Sequence, residues 1–409
     1  MNRPTLPVGE RVRHHRTRRG RTQAVLAGLC GITEDYLSQI ERGLKKPSHD
    51  VLVKLADHLQ VHVATLLGEA GTTVGDAPAT AGADTPATAG SEVVRALLGH
   101  HPGPHGEPPT AASLRDRVEN LWRIWQTSPT RFTEAEALLP ALIGDVETAI
   151  RAHRYGNDPT ERRETLRAAA DLYGLLRSYC RRAGRPDLSL MVADRALRTA
   201  EDADDPLRIA TATWNLGHVM LSRPGDEQDA VDVVLRAAED LQRSLTTPAA
   251  VAIRGALELV AVVAEARAHR AWAARDRLNH RVLPLADQAG EGNVQWTVFG
   301  PTNTELHAVS VEMLDGDAIE GLRLADQVNI THLPSRERQF TFGLEVARCY
   351  DLRREDAAVL VHLLELETLA PEDLERSPLA GELVASLVQR CRATYRHQAT
   401  ALAQRLSLL

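Results

Sequence analysis

Three groups of side chains in the sequence have the types and spacing to do chemistry. The first lies in ITEDYLSQIERG (32–43), where Glu34, Asp35 and Gln39 can hydrogen-bond and the cations Arg42, Lys45 and Lys46 follow. A carboxylate accepts from the N4 amino group of cytosine, and a glutamine amide pairs with adenine through two bonds. Acids in a first helical turn also complement the helix dipole, by roughly 0.3–1 kcal/mol. Both roles stay open for Glu34 and Asp35. The second group, Arg208, Thr211, Asn215 and His218, recurs at three- or four-residue spacing and so shares one helix face. Such a face fits ligand binding or hydrogen bonding between neighbouring helices. The third is NVQWTVFGPTNTELH (293–307). Gly300-Pro301 reads as a helix start, because proline fits the first turn. Asn303 and His307 then share a face close to Trp296 and Phe299. Polar groups converging at a helix N-terminus beside aromatics make a small-ligand site or a capped, packed corner.

Other chemistry is missing. There is no Walker loop, G-x-G-x-x-G, H-E-x-x-H, G-x-S-x-G or paired-cysteine metal motif, so neither catalysis nor a cofactor is expected. HHPGPHG (100–106) bunches three histidines but has no carboxylate or cysteine partners. Its Pro/Gly content favours a solvated linker over a metal site. Cys30, Cys180, Cys349 and Cys391 are scattered in apolar, helical-looking stretches, as reduced core residues of a cytoplasmic protein would be. No run of about 18 apolar residues is present, so no membrane partner is expected.

The elements that must position these groups are helices. Aromatics make up 4% of the 409 residues while Ala, Leu and Val abound, which favours packed helices over sheets. The formal net charge of −7 is uneven. Residues 1–68 carry eleven Lys and Arg against six Asp and Glu; the rest carries 37 against 49. A basic head on an acidic body points to a nucleic-acid-binding head. Three domains follow: a head over 1–68, an Ala/Gly/Pro/Thr-rich linker over 69–112, and helical periods over 113–409. The linker cannot bury enough apolar surface to fold. Only SEVVRALLGHH (91–101) within it is amphipathic and suited to docking.

In the head, apolar residues at helical spacing (Val12, Val25, Leu26, Leu29, Leu37, Ile40, Val51, Leu52, Leu55, Leu59) predict four helices. Thr22 and Thr33 stand where caps belong, and Gly31-Ile32 is the whole connection between the second and third helices. The pattern GRTQAVLA (20–27), GITEDYLSQIERG (31–43), Pro47-Ser48 and Leu52, Leu55, Ala56 resembles the Xre/Cro-type, lambda-repressor-like helix-turn-helix family. The resemblance implies a buried Arg16–Glu41 pair joining the first and third helices. It implies a phosphate contact at Gln23 and a third helix that enters the major groove of double-stranded DNA. Glu34, Asp35 and Gln39 fall at reader positions, Tyr36 and Ser38 near the backbone or base edges, and Arg42, Lys45 and Lys46 at phosphate-holding positions. The capping Thr22 and Thr33 complete that DNA-facing set. Family members bind inverted repeats as homodimers.

In the body, TWNLGHVMLSRPGDEQDAVDVVLRAA (213–238) resembles a tetratricopeptide repeat, with Asn215-Leu216-Gly217 in its first helix, Gly225 at the turn, and Ala230, Val234 and Ala237 in its second. Weaker copies occupy 177–196, 308–328 and 344–374. Stacked pairs give a superhelix with a concave groove lined by first helices. In that class an asparagine at the place of Asn215 binds extended peptide. The expected protein is therefore all-α: a lambda-repressor-like bundle, a flexible linker and a tetratricopeptide-like superhelix. The combination resembles quorum-sensing regulators and implies a cytoplasmic, homodimeric transcription regulator that senses a peptide or small molecule. The alternative is a DNA-tethered adaptor whose repeats recruit a protein partner.

Overall fold

The computed structural model describes residues 8–18, 21–45, 47, 49–59, 91–99, 107–154, 156, 158–223 and 225–408. Lys46, Ser48 and the histidine-rich segment 100–106 lie outside the described residues. All regular elements among the described residues are helical, and they divide into two compact units, Met1–Asp84 and Thr85–Leu409. No helix among them is long and apolar enough to cross a membrane.

The first unit holds α1 (Val8–Arg18), α2 (Gln23–Cys30), α3 (Glu34–Glu41) and α4 (His49–Leu59). Thr22 and Thr33 cap α2 and α3, each hydroxyl accepting from a backbone N–H three residues on at 3.2 Å. Gly31 closes α2 at φ +69°, in the left-handed region that glycine enters without penalty. Leu26, Leu37, Leu55 and Leu59 are fully buried together with Val12, each stabilising the bundle by about 1.5–3 kcal/mol relative to exposure. Two of the apolar residues at helical spacing face outward: Val25 and Leu29 are 51% and 47% exposed. The inner stripe of this eight-residue helix is Leu26, Ala27 and Cys30, and positions 25 and 29 fall on its flank.

The second unit begins with α5 (Ser91–Leu97), whose Val93, Ala96 and Leu97 are buried among residues of α7 (Arg131–His153). The amphipathic piece of the Ala/Gly/Pro-rich stretch therefore packs on the helical body. Then come α6 (Ala111–Thr127), α8 (Pro159–Arg182), α9 (Pro186–Asp202), α10 (Pro206–Met220), α11 (Glu227–Ser244) and α12 (Pro248–Arg267). A shorter stretch precedes α13 (Pro301–Asp315), α14 (Ala318–Ala325), α15 (Arg336–Leu352) and α16 (Asp356–Leu369). Further helices reach Arg405. Helix starts repeat one device: Asp158, Asp205, Thr247 and Ser377 each cap a helix whose first turn carries proline. The cap accepts an orphan N–H and proline gives up one that would have no partner.

Successive helices pack as antiparallel pairs, α8 with α9, α10 with α11, α13 with α14, and α15 with α16. In the second pair α10 and α11 approach so closely that a Cβ on Gly217 would lie 2.6 Å from Val234 and 2.9 Å from Val260. Ala230, Val234 and Ala238 form the buried stripe of α11; Ala237, one residue earlier, is only partly buried. The turns of three pairs use left-handed glycines, Gly184, Gly225 and Gly316, whereas Arg354 takes that conformation at φ +61° in the fourth. All four cysteines are buried free thiols.

Candidate functional site

Helix α3 presents two faces. Leu37, Ile40 and Glu41 are buried, while Glu34 and Asp35 are exposed and Tyr36, Ser38 and Gln39 half-buried. The inner face is fixed by Arg16, whose Nε and Nη2 donate to the two Glu41 oxygens at 2.6 and 2.9 Å. Arg16 also donates to the Arg21 carbonyl at 2.8 Å. The guanidinium pKa is raised, first by the hydrogen bond to Glu41. Gln23 donates its amide to Glu41 at 2.7 Å, so this side chain braces the pair as well as standing at the start of α2. On the outer side Lys45 Nζ lies 5.5 Å from the Tyr36 ring centroid, and exposed Arg42 donates to the Ser38 carbonyl at 3.3 Å. The exposed end of α3 thus runs from two carboxylates to a guanidinium and an ammonium within about a dozen residues.

The second unit contains a half-open cavity of about 350 Å³. Its walls come mainly from α8, α10, α12, α13 and α15, together with α6 and the 296–298 loop. Of the polar or aromatic residues singled out in the sequence, His218, Trp296, Asn303 and His307 line it. Arg208, Thr211 and Asn215 do not. They border a separate crevice of about 10 Å³, room for at most one water. Their groups are already engaged. Arg208 forks onto Asp171 at 3.0 and 2.8 Å and reaches Asp205 at 3.0 Å. Thr211 donates to the Leu207 carbonyl, and Asn215 Oδ1 accepts from Arg177 Nε at 2.8 Å and from its Nη2. Burial pushes the Asp171 carboxyl up to about 6 and outweighs Arg208 beside it. Phe299 does not line the cavity either. Its ring fills the space left by Gly255, where a Cβ would lie 1.9 Å from Phe299 Cζ.

Trp296 separates the two spaces. It stacks on Trp122 with centroids 4.8 Å apart and planes 2° from parallel. Trp122 in turn donates its indole N–H to the Asp171 carbonyl at 3.0 Å. Gln295, Trp296 and Val298 all have φ near +50°, a conformation that costs non-glycine residues roughly 1–3 kcal/mol each. The loop is held there by Gln126, which donates to the Trp296 carbonyl at 3.1 Å and accepts from Asn293 at 2.7 Å. Gly300-Pro301 does begin a helix, and Thr302 N–H donates to Glu291 at 2.8 Å, so a carboxylate already occupies that N-terminus.

The cavity's charge was not anticipated from sequence. Six arginines line it, at 177, 181, 182, 267, 338 and 348, against Glu337 and Glu345. Burial pushes Arg177 down to about 9 and Arg181 to about 10, with neighbouring arginines adding to the effect. Both stay protonated at neutral pH. His218 lies edge-on to Trp214 with centroids 4.6 Å apart, and burial holds its pKa well below the ordinary value. His307, whose Nδ1 is 2.7 Å from the Asn303 carbonyl, is pushed down to about 4, again by burial first. A signal was available in RSYCRRAGR (177–185), where Arg177 and Arg181, four apart, share a helix face and Arg182 follows.

A capped helix pair joined by Gly31-Ile32, with one polar face turned outward, defines the first unit as a helix-turn-helix domain. Residues 7–67 match the family described as helix-turn-helix domain. Curated relatives match over short stretches. An uncharacterised helix-turn-helix-type transcriptional regulator of Mycobacterium tuberculosis is 50% identical over 46 residues, 11% of this chain and 33% of that protein. The transcriptional regulator SinR of Bacillus licheniformis is 39% identical over 70 residues, 17% of this chain and 63% of SinR. The chain thus spans a third of the length of the first relative and under two thirds of the second. Among solved structures, Bacillus thuringiensis PlcR in complex with the peptide PapR7 and DNA matches at a TM-score of 0.30 and 11% identity, covering 88% of this chain and 98% of that one. That level of likeness assigns no shared function.

Proposed function

We propose that the chain is a sequence-specific DNA-binding transcription regulator whose helical unit senses a peptide or small molecule. The observation that carries the reading is the two-faced α3. Leu37, Ile40 and Glu41 anchor it, leaving Glu34, Asp35, Ser38 and Gln39 for base edges and Arg42, Lys45 and Lys46 for phosphates. Acids at reader positions reject wrong sequences at a loss of raw affinity. A single head covers a short half-site, so the functional form is a homodimer on an inverted repeat in the cytoplasm.

The cavity supports sensing over the adaptor reading, because it is a concave, half-open space within the ~300–1,000 Å³ typical of small-ligand pockets. Carrying a two-state equilibrium from 1:99 to 99:1 takes about 5.5 kcal/mol of differential ligand affinity. The test is to sequence genomic fragments retained by the purified chain with and without cell extract. Salt-dependent retention of defined fragments, altered by extract, is expected. Retention of no fragment at low salt overturns the regulator reading, and retention indifferent to extract overturns sensing.

A further inference from the structure

The arginines of the cavity are not all paired. Arg177 is committed to Asn215, Arg182 to Glu337, and Arg267 donates to the Leu221 carbonyl. Among the described residues the side chains of Arg181, Arg338 and Arg348 have no ion-pair or hydrogen-bond partner; Arg348 faces Glu345, and Arg181 Nε is wholly shielded from solvent. Two acids face six arginines there, and Glu337, which lies within electrostatic reach of Arg181 and Arg338, is shared. Glu337 already answers Arg182 and Arg131. Burial pushes the Glu345 carboxyl up to about 7, so it is only partly ionised near neutrality. Arg181 and Arg338 are half-buried, with the Arg181 Nε shielded from water, and unpaired charge so placed is costly enough to favour a counter-charge brought by a ligand.

Two further observations shape that counter-charge. Asn303 is 2% exposed, lines the cavity, and its Oδ1 has no hydrogen-bond partner. Much of the apolar wall is aromatic, with the Trp122–Trp296 stack, Trp214 and Phe340 set among aliphatic side chains such as Leu306 and Met313. We propose that the cavity is the binding site of a small organic anion, whose carboxylate or phosphate is held by Arg181 and Arg338. A donor group on the ligand meets Asn303 Oδ1, and its apolar body lies against Trp214 and the Trp122–Trp296 wall. This deepens the sensory reading and rests on it for its purpose, though the binding itself stands on the cavity alone.

The full-length chain is titrated calorimetrically, and its melting temperature followed, with 4-phenylbutyrate, phenyl phosphate and the neutral 4-phenylbutanol, at ionic strength matched with sodium chloride. One or both acids should bind and raise the melting temperature while the alcohol does not; which acid binds tighter separates a carboxylate site from a phosphate site. Arg181→Gln and Arg338→Gln should each weaken that binding at least tenfold. Without probe, each variant should melt at or above the wild-type temperature, because an unpaired cation has gone; an arginine with a purely structural role would lower it. Failure of both acids to bind, equal binding by the alcohol, or binding unchanged in both variants overturns the proposal. Retention of genomic DNA by the same preparation, measured without probe, tests the regulator reading separately. Its absence sinks that reading and leaves the anion site standing.

Discussion

Arg16 and Glu41 meet as a two-point ion pair across α1 and α3, at 2.6 and 2.9 Å, with both side chains at least nine-tenths buried. The bond sets how far α3 stands off the bundle, because Glu41 ends the helix whose outer face is proposed to read bases. Glu41→Ala leaves Arg16 buried without its carboxylate and should cost about 3–5 kcal/mol. Gln23→Ala removes one charged hydrogen bond to the same carboxylate and should cost about 1.5–3 kcal/mol. Urea unfolding followed by a probe in the first unit measures both. Equal effects of the two changes would mean that the pair is not the anchor.

The outer face separates specificity from affinity. Lys45 is exposed and stands over Tyr36, where it can reach a phosphate. Lys45→Ala should weaken binding to all sequences alike and reduce the slope of log affinity against log salt by about 1. Glu34→Ala with Asp35→Ala should leave that slope unchanged or steeper while relaxing the preferred sequence. If retained fragments keep the same consensus, the two acids act on the helix dipole alone.

The head was legible because its signals are local and mutually consistent. Caps at Thr22 and Thr33, a left-handed glycine at 31 and apolar spacing all lie within one short segment. Which apolar residues of α2 turn inward was not legible: in an eight-residue helix, spacing alone does not say which of two adjacent stripes faces the core, and Val25 and Leu29 face outward. In the body, helical spacing made all four pairs readable, the fourth at 344–374 even though Arg354 stands where the other turns have glycine. The cavity was the least legible feature. Its arginines come from α8, α12 and α15, far apart in a chain where arginine is common, and only burial sets them apart from surface cations. Arg208 and Asn215 had the right spacing for a ligand face, but Asp171 and Arg177 on the neighbouring helix take their hydrogen bonds.

Phe299 is a test of that distinction between spacing and environment. It is fully buried against Gly255 and contributes packing, not a ligand contact. Phe299→Ala should destabilise by about 3–5 kcal/mol. Gly255→Ala should cost about 1–3 kcal/mol by overpacking the same spot. Thermal melts of the two variants report this directly. A Phe299→Ala chain of unchanged stability with altered ligand response would return Phe299 to the site.

The cavity also predicts a pH signature. Burial pushes the Glu345 carboxyl up to about 7, prevailing over the Ser310 hydroxyl that donates to it at 2.6 Å and over Arg348, Arg338 and Arg267. An unfolded glutamate titrates near 4.5, so between 4.5 and about 7 the folded chain holds a proton that the unfolded chain has released. The stability from this group is complete below 4.5 and is lost as pH rises towards 7. His307 has the opposite sign: its pKa falls to about 4 from 6.5, so its contribution is intact above 6.5 and lost as pH falls towards 4. The two oppose each other in any whole-chain profile, and a difference measurement is needed. Glu345→Gln keeps the shape of the protonated acid but cannot ionise. Its stability relative to wild type should change little below pH 4.5 and rise across the window to pH 7. The slope is at most about 1.4 kcal/mol per pH unit, and the gain levels off above the window. Urea midpoints at four pH values across the window supply the curve. A difference that stays flat would mean that the Glu345 carboxylate is ionised throughout and already serves the cavity's arginines as counter-charge.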